Sequence, residues 1–423
     1  MMPMTMQDER AVPPYAARGA AGAAVGAGMG ILGVAGYVVS AVHRSRRRGY
    51  TDEFVLTPED LNMPYEEVQF FTEVRYLHDS EEDGISLTGW FIPQSSAGRP
   101  SRRILVFCHP YNNSKSNLLG VARGLWDRRY SIFMFDFRSF ADAKTSQSVG
   151  YLEQRDAKAA VAAARRHGPK DAEIGLIGAS MGGAVALIIG HGEDVGAVGV
   201  ATDCAFARLS DVLLSRNIRP TEFPQPLAAF TVDLASHLNP LLHGYSFKAV
   251  SPVDAVEHGP RAGQVPLLLI HADNDEVVTV SQAHAIHSAA LAPKEPGRVE
   301  VRIVRELPNL VKSSWSSWEF PMPWKLVADF FDSAFAAAER RRTGEGLRSF
   351  PALAKIIAAA KFFQLRKGPP ATGLASASQA QLLAAQPAPA AQAGPALLVP
   401  LAPRCHSNFC AVAASLRGAG RES

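Results

Sequence analysis

The stretch EIGLIGASMGGAVALII at residues 173–189 leaves little choice of local structure. The run from Ile174 to Ile177 is continuous and apolar, as in a strand buried on both faces. Small residues follow, and then an apolar helix pattern begins. The turn is Gly178-Ala179-Ser180-Met181-Gly182, a G-x-S-x-G pattern between strand and helix. In that setting the serine sits on a sharp corner with its hydroxyl lifted off the sheet, a nucleophile elbow. Gly178, Gly182 and Gly183 remove the Cβ atoms that would collide where strand and helix approach. The helix N-terminus points backbone N–H groups at the same spot, which favours a developing oxyanion. The competing reading is a plain glycine-rich turn between a strand and a helix.

Around this stretch the pattern alternates. Residues 64–76 and 85–92 read as a hairpin of two strands with a turn at 79–84. Strands are predicted at 103–108, 131–135, 173–177, 198–201, 266–271 and 299–304. Helices are predicted at 117–128, 151–166, 282–291 and 323–340. Apolar strands joined by helices make an α/β fold, a mostly parallel sheet covered on both faces. Residues 206–263 break the alternation and read as a helical cap. The 47% apolar content suits such a core, and 43 Lys plus Arg against 40 Asp plus Glu leaves a net charge of only +3. Nothing global points to nucleic acid. Cys108, Cys204, Cys405 and Cys410 have no metal-ligand spacing, and no cofactor motif is present.

The ends have a different character. Residues 1–18 read as a mobile tail. Residues 19–42 carry no charge and are long enough for a bilayer core of about 30 Å. Arg44, Arg46, Arg47 and Arg48 follow within a basic linker at 43–60, so the positive-inside rule places the bulk of the chain in the cytoplasm, behind a single-pass anchor. Gly22, Gly26 and Gly30 make a stripe suited to helix–helix self-association. A cleaved signal ending at Val39-Ser40-Ala41, or a plain Gly/Ala-rich leader, are the alternatives. Residues 341–368 read as a basic amphipathic helix, suited to a membrane surface or to docking on the domain. The Ala/Pro-rich remainder, 369–423, reads as disordered.

The order of the elements and several motifs resemble the α/β-hydrolase superfamily, in particular its membrane-anchored members akin to serine aminopeptidases and acyl-thioesterases. Phe107-Cys108-His109-Pro110-Tyr111 stands at the family's oxyanion loop. Phe135-Asp136-Phe137-Arg138-Ser139-Phe140 stands at its Asp-x-Arg-Gly-His-Gly run. Gly150-Tyr151-Leu152-Glu153 with Asp156 also matches, as does Ile270-His271-Ala272-Asp273-Asn274-Asp275-Glu276-Val277-Val278. The resemblance implies a hydrolase domain at 61–340 with its cap at about 206–263. It implies Ser180 as nucleophile, Asp275 as the acid, and the backbone N–H groups of Met181 and Tyr111 as oxyanion donors. Asp203, after the preceding strand, is a second candidate acid. His109 and His271, at strand ends, read as structural.

One part of the pattern is missing. The family's histidine should follow strand 299–304, but the chain there reads Leu307-Pro308-Asn309-Leu310-Val311-Lys312-Ser313-Ser314-Trp315. After Asp275 the only histidines are His284, His287 and His406. Lys312 falls near the expected position, and Ser–Lys pairs serve elsewhere as nucleophile and base; its alternative is an exposed loop lysine. His237 or His243 of the cap are further candidates. The expected function is hydrolysis of a carboxyl ester, thioester or small amide through acyl-Ser180. Leu213, Leu214, Phe223, Leu227, Phe230, Leu234, Leu241, Leu242, Trp315, Trp318 and Trp324 are candidates to hold an acyl or lipid-like substrate. The alternative is a catalytically impaired hydrolase fold acting as a binding or scaffolding module.

Overall fold

The computed structural model describes residues 30–43, 56–72, 84–96, 98–141, 147–215, 224–273, 275, 277–293, 298–304 and 324–343. The expectations for 1–29, for most of the basic linker, for the basic helix and tail beyond residue 343, and for Phe223, Lys312, Trp315 and Trp318 lie outside these residues.

Eight strands form one sheet: β1 (Glu66–Thr72), β2 (Ile85–Ile92), β3 (Arg103–Cys108), β4 (Ser131–Phe135), β5 (Glu173–Ala179), β6 (Ala197–Asp203), β7 (Leu267–Ala272) and β8 (Val299–Val304). Their order across the sheet is β1-β2-β4-β3-β5-β6-β7-β8. β2 runs antiparallel to both of its neighbours, and every pair from β4 to β8 is parallel. This is the strand order and polarity of the α/β-hydrolase fold. The central strands are buried along their length except at the first residues Arg103 and Glu173, because crossover helices cover both faces.

The two faces are legible residue by residue. On β3, Ile104, Val106 and Cys108 join one core cluster while Leu105 and Phe107 join the other, as the two-residue period of a strand requires. α2 (Leu119–Trp126) and α9 (Trp324–Thr343) cover the face with Leu105. α3 (Glu153–His167), α4 (Met181–His191) and α8 (Val280–Leu291) cover the other. Trp324, a candidate for the substrate mouth, instead lies against Gly124 of α2, where its ring would stand 2.9 Å from an added Cβ.

Between β6 and β7 the chain forms α5 (Leu209–Leu213), α6 (Gln225–His243) and α7 (Pro252–His258). α7 packs on α4 and α8. α6 lies over the same core cluster through Val232 and Ala235. Of the apolar residues assigned to an acyl pocket, Leu213 is buried and Leu234 packs on the core, but Phe230, Leu241 and Leu242 face outward. The helical period decides this, since residues 228, 231, 232, 235, 236 and 239 take the inner face.

Residues 30–43 form α1. Among the described residues no helix is long and apolar enough to cross a membrane. One stripe of α1 (Ala35, Val39, Val42 and His43) is buried against the domain. The His43 ring stacks on His243 at 3.5 Å, and its Nε2 lies 3.1 Å from the Tyr245 hydroxyl.

Candidate active site

β5 ends at Ala179 and α4 starts at Met181, so Ser180 alone makes the corner. Its backbone has φ 51° and ψ −117°. That is strained for a residue with a Cβ, and such strain costs roughly 1–3 kcal/mol. The surroundings fix the strain in place. Ser180 N–H donates to the Asp203 carbonyl at 2.8 Å, and the Ser180 carbonyl accepts the Ala184 N–H at 3.0 Å. The serine is 2% exposed, and its Oγ has no hydrogen-bond partner among the described residues. A buried hydroxyl left unpaired is uncommon and marks a group kept for another purpose.

The glycines of the motif are needed for close approach. A Cβ on Gly182 would lie 2.1 Å from the Cys108 carbonyl oxygen, and one on Gly178 would lie 2.3 Å from the Gly182 oxygen. The first turn of α4 therefore rests directly on the loop leaving β3. That contact brings the elbow, with Met181, beside the segment carrying Tyr111, the two sources proposed for oxyanion donors.

The β3 loop is held from several sides. His109 Nε2 accepts from Phe137 N–H at 2.9 Å, so its proton sits on Nδ1, which donates to the Pro110 carbonyl at 2.8 Å. Lys115 N–H donates to Asp136 Oδ1 at 2.7 Å, and its ammonium bonds Asp136 Oδ2. Gln147 Nε2 donates to Asn112 Oδ1 at 3.3 Å. Arg138, fully buried, bonds Asp156 through Nη2 at 2.7 Å and through its backbone N–H at 3.0 Å. Glu153 accepts from Ser148 N–H at 2.9 Å and Gly150 N–H at 2.8 Å. The roles of Lys115, Asp136, Gln147 and Glu153 escape a reading of the sequence, although the run at 135–140 and Glu153 are visible there as a pattern. A pattern gives residue types, and only the tertiary fold says which loop each one grips.

Asp275 is buried beyond the end of β7. Its Oδ1 accepts from Val277 N–H at 2.8 Å and Val278 N–H at 2.9 Å, which orients the carboxylate in a fixed turn. His271 donates from Nε2 to the Val278 carbonyl at 2.7 Å. Both strand-end histidines therefore tie loops to backbone, and burial lowers the pKa of each. Asp203 joins the elbow through its carbonyl, while its Oδ1 lies 3.4 Å from the Cys204 sulfur. Cys204, His271 and Asp275 have the donor chemistry for a metal, and their donor atoms lie within 4.8 Å of one another. The sequence has no metal motif, because Cys204 follows β6 while His271 and Asp275 belong to the end of β7. His237 and His243 sit on α6, with the His237 ring bonded to the Asp233 carbonyl at 2.8 Å and His243 stacked on His43. Lys312 lies outside the described residues, as does the whole segment 305–323 that follows β8.

Burial of neutral imidazoles predicts a pH dependence of stability. Burial pushes the pKa of His43 and of His191 down to about 4, and that of His109 and His271 downward as well. A histidine lowered in the folded state takes up its proton more readily when unfolded. For His43 and His191 the contribution is whole above about pH 6.5 and is lost as pH falls toward 4, at about 1.4 kcal/mol per pH unit for each. Urea unfolding should show a markedly lower midpoint at pH 5.5 than at pH 7.5. Equal midpoints would mean that these rings are already protonated or exposed.

No protein-family model matches the chain. It is 27% identical over 218 residues to the uncharacterized protein YfhR of Escherichia coli (strain K12), covering 50% of this chain and 67% of that one. It is 26% identical over 198 residues to the uncharacterized protein YqkD of Bacillus subtilis (strain 168), covering 45% of this chain and 61% of that one. Among solved structures, the Pyrococcus furiosus esterase Pf2001 is 24% identical with a TM-score of 0.46, over 66% of this chain and 93% of that one. A Pyrococcus horikoshii acylaminoacyl peptidase is 15% identical with a TM-score of 0.43, over 67% of this chain and 43% of that one.

Proposed function

We propose that this chain of α/β-hydrolase fold is a serine hydrolase that cleaves a carboxyl ester, thioester or small amide through an acyl-Ser180 intermediate. The observation that carries the reading is the backbone of Ser180, held at φ 51° and ψ −117° between β5 and α4 with its hydroxyl buried and unpaired among the described residues. A turn without chemistry has no reason to keep a side chain in that conformation.

In the proposed reaction Ser180 Oγ attacks the acyl carbon. The carbonyl oxygen takes up negative charge and is met by the N–H groups of Met181 and Tyr111, with the N-terminus of α4 adding its partial positive charge. The base takes the serine proton and hands it to the departing alcohol, thiol or amine; it then takes a proton from water, which attacks the acyl-serine, and the acid is freed as the proton returns to Ser180 Oγ. Asp275 orients and stabilises the base that takes the serine proton. Lys312 is the proposed base. It follows β8 in the sequence, where this fold supplies that group, and to act it requires burial that lowers its pKa by more than the Asp275 carboxylate raises it.

The test is hydrolysis of p-nitrophenyl esters of increasing acyl length by the full chain, beside Asp275→Asn. Asparagine keeps an oxygen for Val277 and Val278 but removes the charge. The expected loss in kcat is about 10³–10⁴-fold at pH 7, the scale of triad acid removal, with little change in KM. An unchanged kcat would remove Asp275 from the mechanism. No hydrolysis by the unmodified, folded chain would leave the binding-module reading in its place.

A further inference from the structure

Cys204 comes to rest beside His271 because two neighbouring strands end together. β6 stops at Asp203, and the Cys204 N–H donates to the Ile270 carbonyl on β7 at 2.9 Å. The φ of Cys204 is 49°, a region that few residues with a Cβ occupy. Asp275 returns to the same place through the turn after β7. The Cys204 sulfur, a His271 ring nitrogen and an Asp275 carboxylate oxygen all lie within 4.8 Å of one another. All three residues are buried. Among the described residues no other three such side chains converge in this way.

Each side chain has the surroundings of a metal ligand. His271 Nε2 donates to the Val278 carbonyl at 2.7 Å, so the lone pair of the neutral ring is on Nδ1. That atom is buried and has no hydrogen-bond partner among the described residues. A buried acceptor in that state calls for an explanation. A ligating histidine supplies one, since it ties its ring N–H to a backbone carbonyl and turns the other nitrogen to the ion. Asp275 Oδ1 is held by the N–H groups of Val277 and Val278, so one turn orients both the carboxylate and the imidazole. A thiolate, an imidazole and a carboxylate together suit Zn²⁺, whereas Mg²⁺ and Ca²⁺ favour oxygen ligands throughout. The donor atoms of a tetrahedral zinc site stand about 3.5 Å apart, so movements of about 1 Å close these three on one ion and leave a fourth position for water.

We infer that Cys204, His271 and Asp275 form a Zn²⁺ site beside the Ser180 corner, and that filling it switches the hydrolase off. Binding exchanges the Cys204 thiol proton, which now points at Asp203 Oδ1 at 3.4 Å, for the ion. One proton is released to solvent per zinc, and the imidazole and carboxylate ligate without losing any. An Asp275 carboxylate bound to zinc has its charge neutralised and no longer orients or stabilises a base for Ser180. The site rests on its own ligands, and its effect on turnover rests on the hydrolase reading.

The test uses the full chain with Cys405→Ser and Cys410→Ser, so that Cys108 and Cys204 are the thiols that remain. Titration with Co²⁺, a spectroscopic stand-in for zinc, should give a sulfur-to-cobalt charge-transfer band that saturates at one equivalent. Cys204→Ser in that background should lose the band and bind Zn²⁺ at least about 10-fold more weakly. Saturating Zn²⁺ should lower p-nitrophenyl acetate hydrolysis by the parent at least about 10-fold, and EDTA should restore it. Asp275→Asn keeps the thiol, so it should retain the band with binding at least about 10-fold weaker; this variant decides the matter where Cys204→Ser does not fold. A band absent from the parent, a band that survives Cys204→Ser, or binding unchanged by Asp275→Asn overturns the site. Full cobalt binding with hydrolysis indifferent to zinc overturns the switch. A chain that hydrolyses no ester even after EDTA overturns the hydrolase reading and the switch with it, and the cobalt spectrum still decides the site.

Discussion

Ser180→Ala is expected to abolish labelling by a fluorophosphonate probe and to lower ester hydrolysis by at least about 10³-fold, while the protein becomes slightly more stable. The first effect follows from losing the nucleophile, after which only the oxyanion donors and substrate binding remain. The second follows from the structure. The Ser180 hydroxyl is buried and makes no hydrogen bond among the described residues. Removing such a group relieves a desolvation penalty of about 1–3 kcal/mol, and alanine occupies the same strained backbone. Opposite movements of activity and stability are the mark of a residue kept for chemistry. Labelling should be measured on the full chain, because α1 is packed into the domain and a truncation before residue 49 would remove it. Labelling that survives in the variant would place the reactive group elsewhere. A loss of stability in the variant would mean that the hydroxyl has a structural partner.

Asp156→Ala is expected to destabilise the fold by about 3–5 kcal/mol, the cost of removing one partner of a buried ion pair. Arg138 and Asp156 are both fully buried and are joined by several hydrogen bonds of 2.7–3.1 Å. Without the carboxylate, the guanidinium has no route to water. For a domain of this size the loss corresponds to a fall of roughly 10 °C in Tm. The double variant Arg138→Met with Asp156→Leu removes both charges together and should recover most of the loss, since a well-packed apolar pair often matches a buried ion pair. Additive losses in the double variant would show that packing volume, and not charge, dominates the site. The pair also bears on the candidate site. Arg138 follows Phe137, whose N–H fixes His109 at the base of the Tyr111 loop. Asp156→Ala should therefore also weaken whatever depends on that loop.

Much of this was readable in advance. The parallel sheet shows as continuous apolar runs between helical patterns, because a strand covered on both faces has no polar side to offer. The elbow shows as closely spaced glycines around Ser180, because no other residue lets Gly182 lie on the Cys108 carbonyl. Strand ends were less readable. β5 runs to Ala179 and β6 spans residues 197–203, both beyond the apolar runs, because the partner strand and not the local sequence decides where a ladder stops. The cap was harder still. Its apolar residues suggested an acyl pocket, yet three of them face outward on α6. Hydrophobicity alone does not say which side of a helix meets the core when the inner side mixes Val232 and Ala235 with Thr231, Ser236 and Asn239.

The sequence by itself determined the alternating architecture, the corner at Ser180 and the turn that holds Asp275, since each depends on neighbours within a few residues. Only the tertiary structure decided that α1 packs against the domain, that Asp136 grips Lys115, and that the α6 side chains divide as they do. These are contacts between segments far apart in the chain, set by which surfaces the folded sheet brings together. Nothing in the local pattern encodes them.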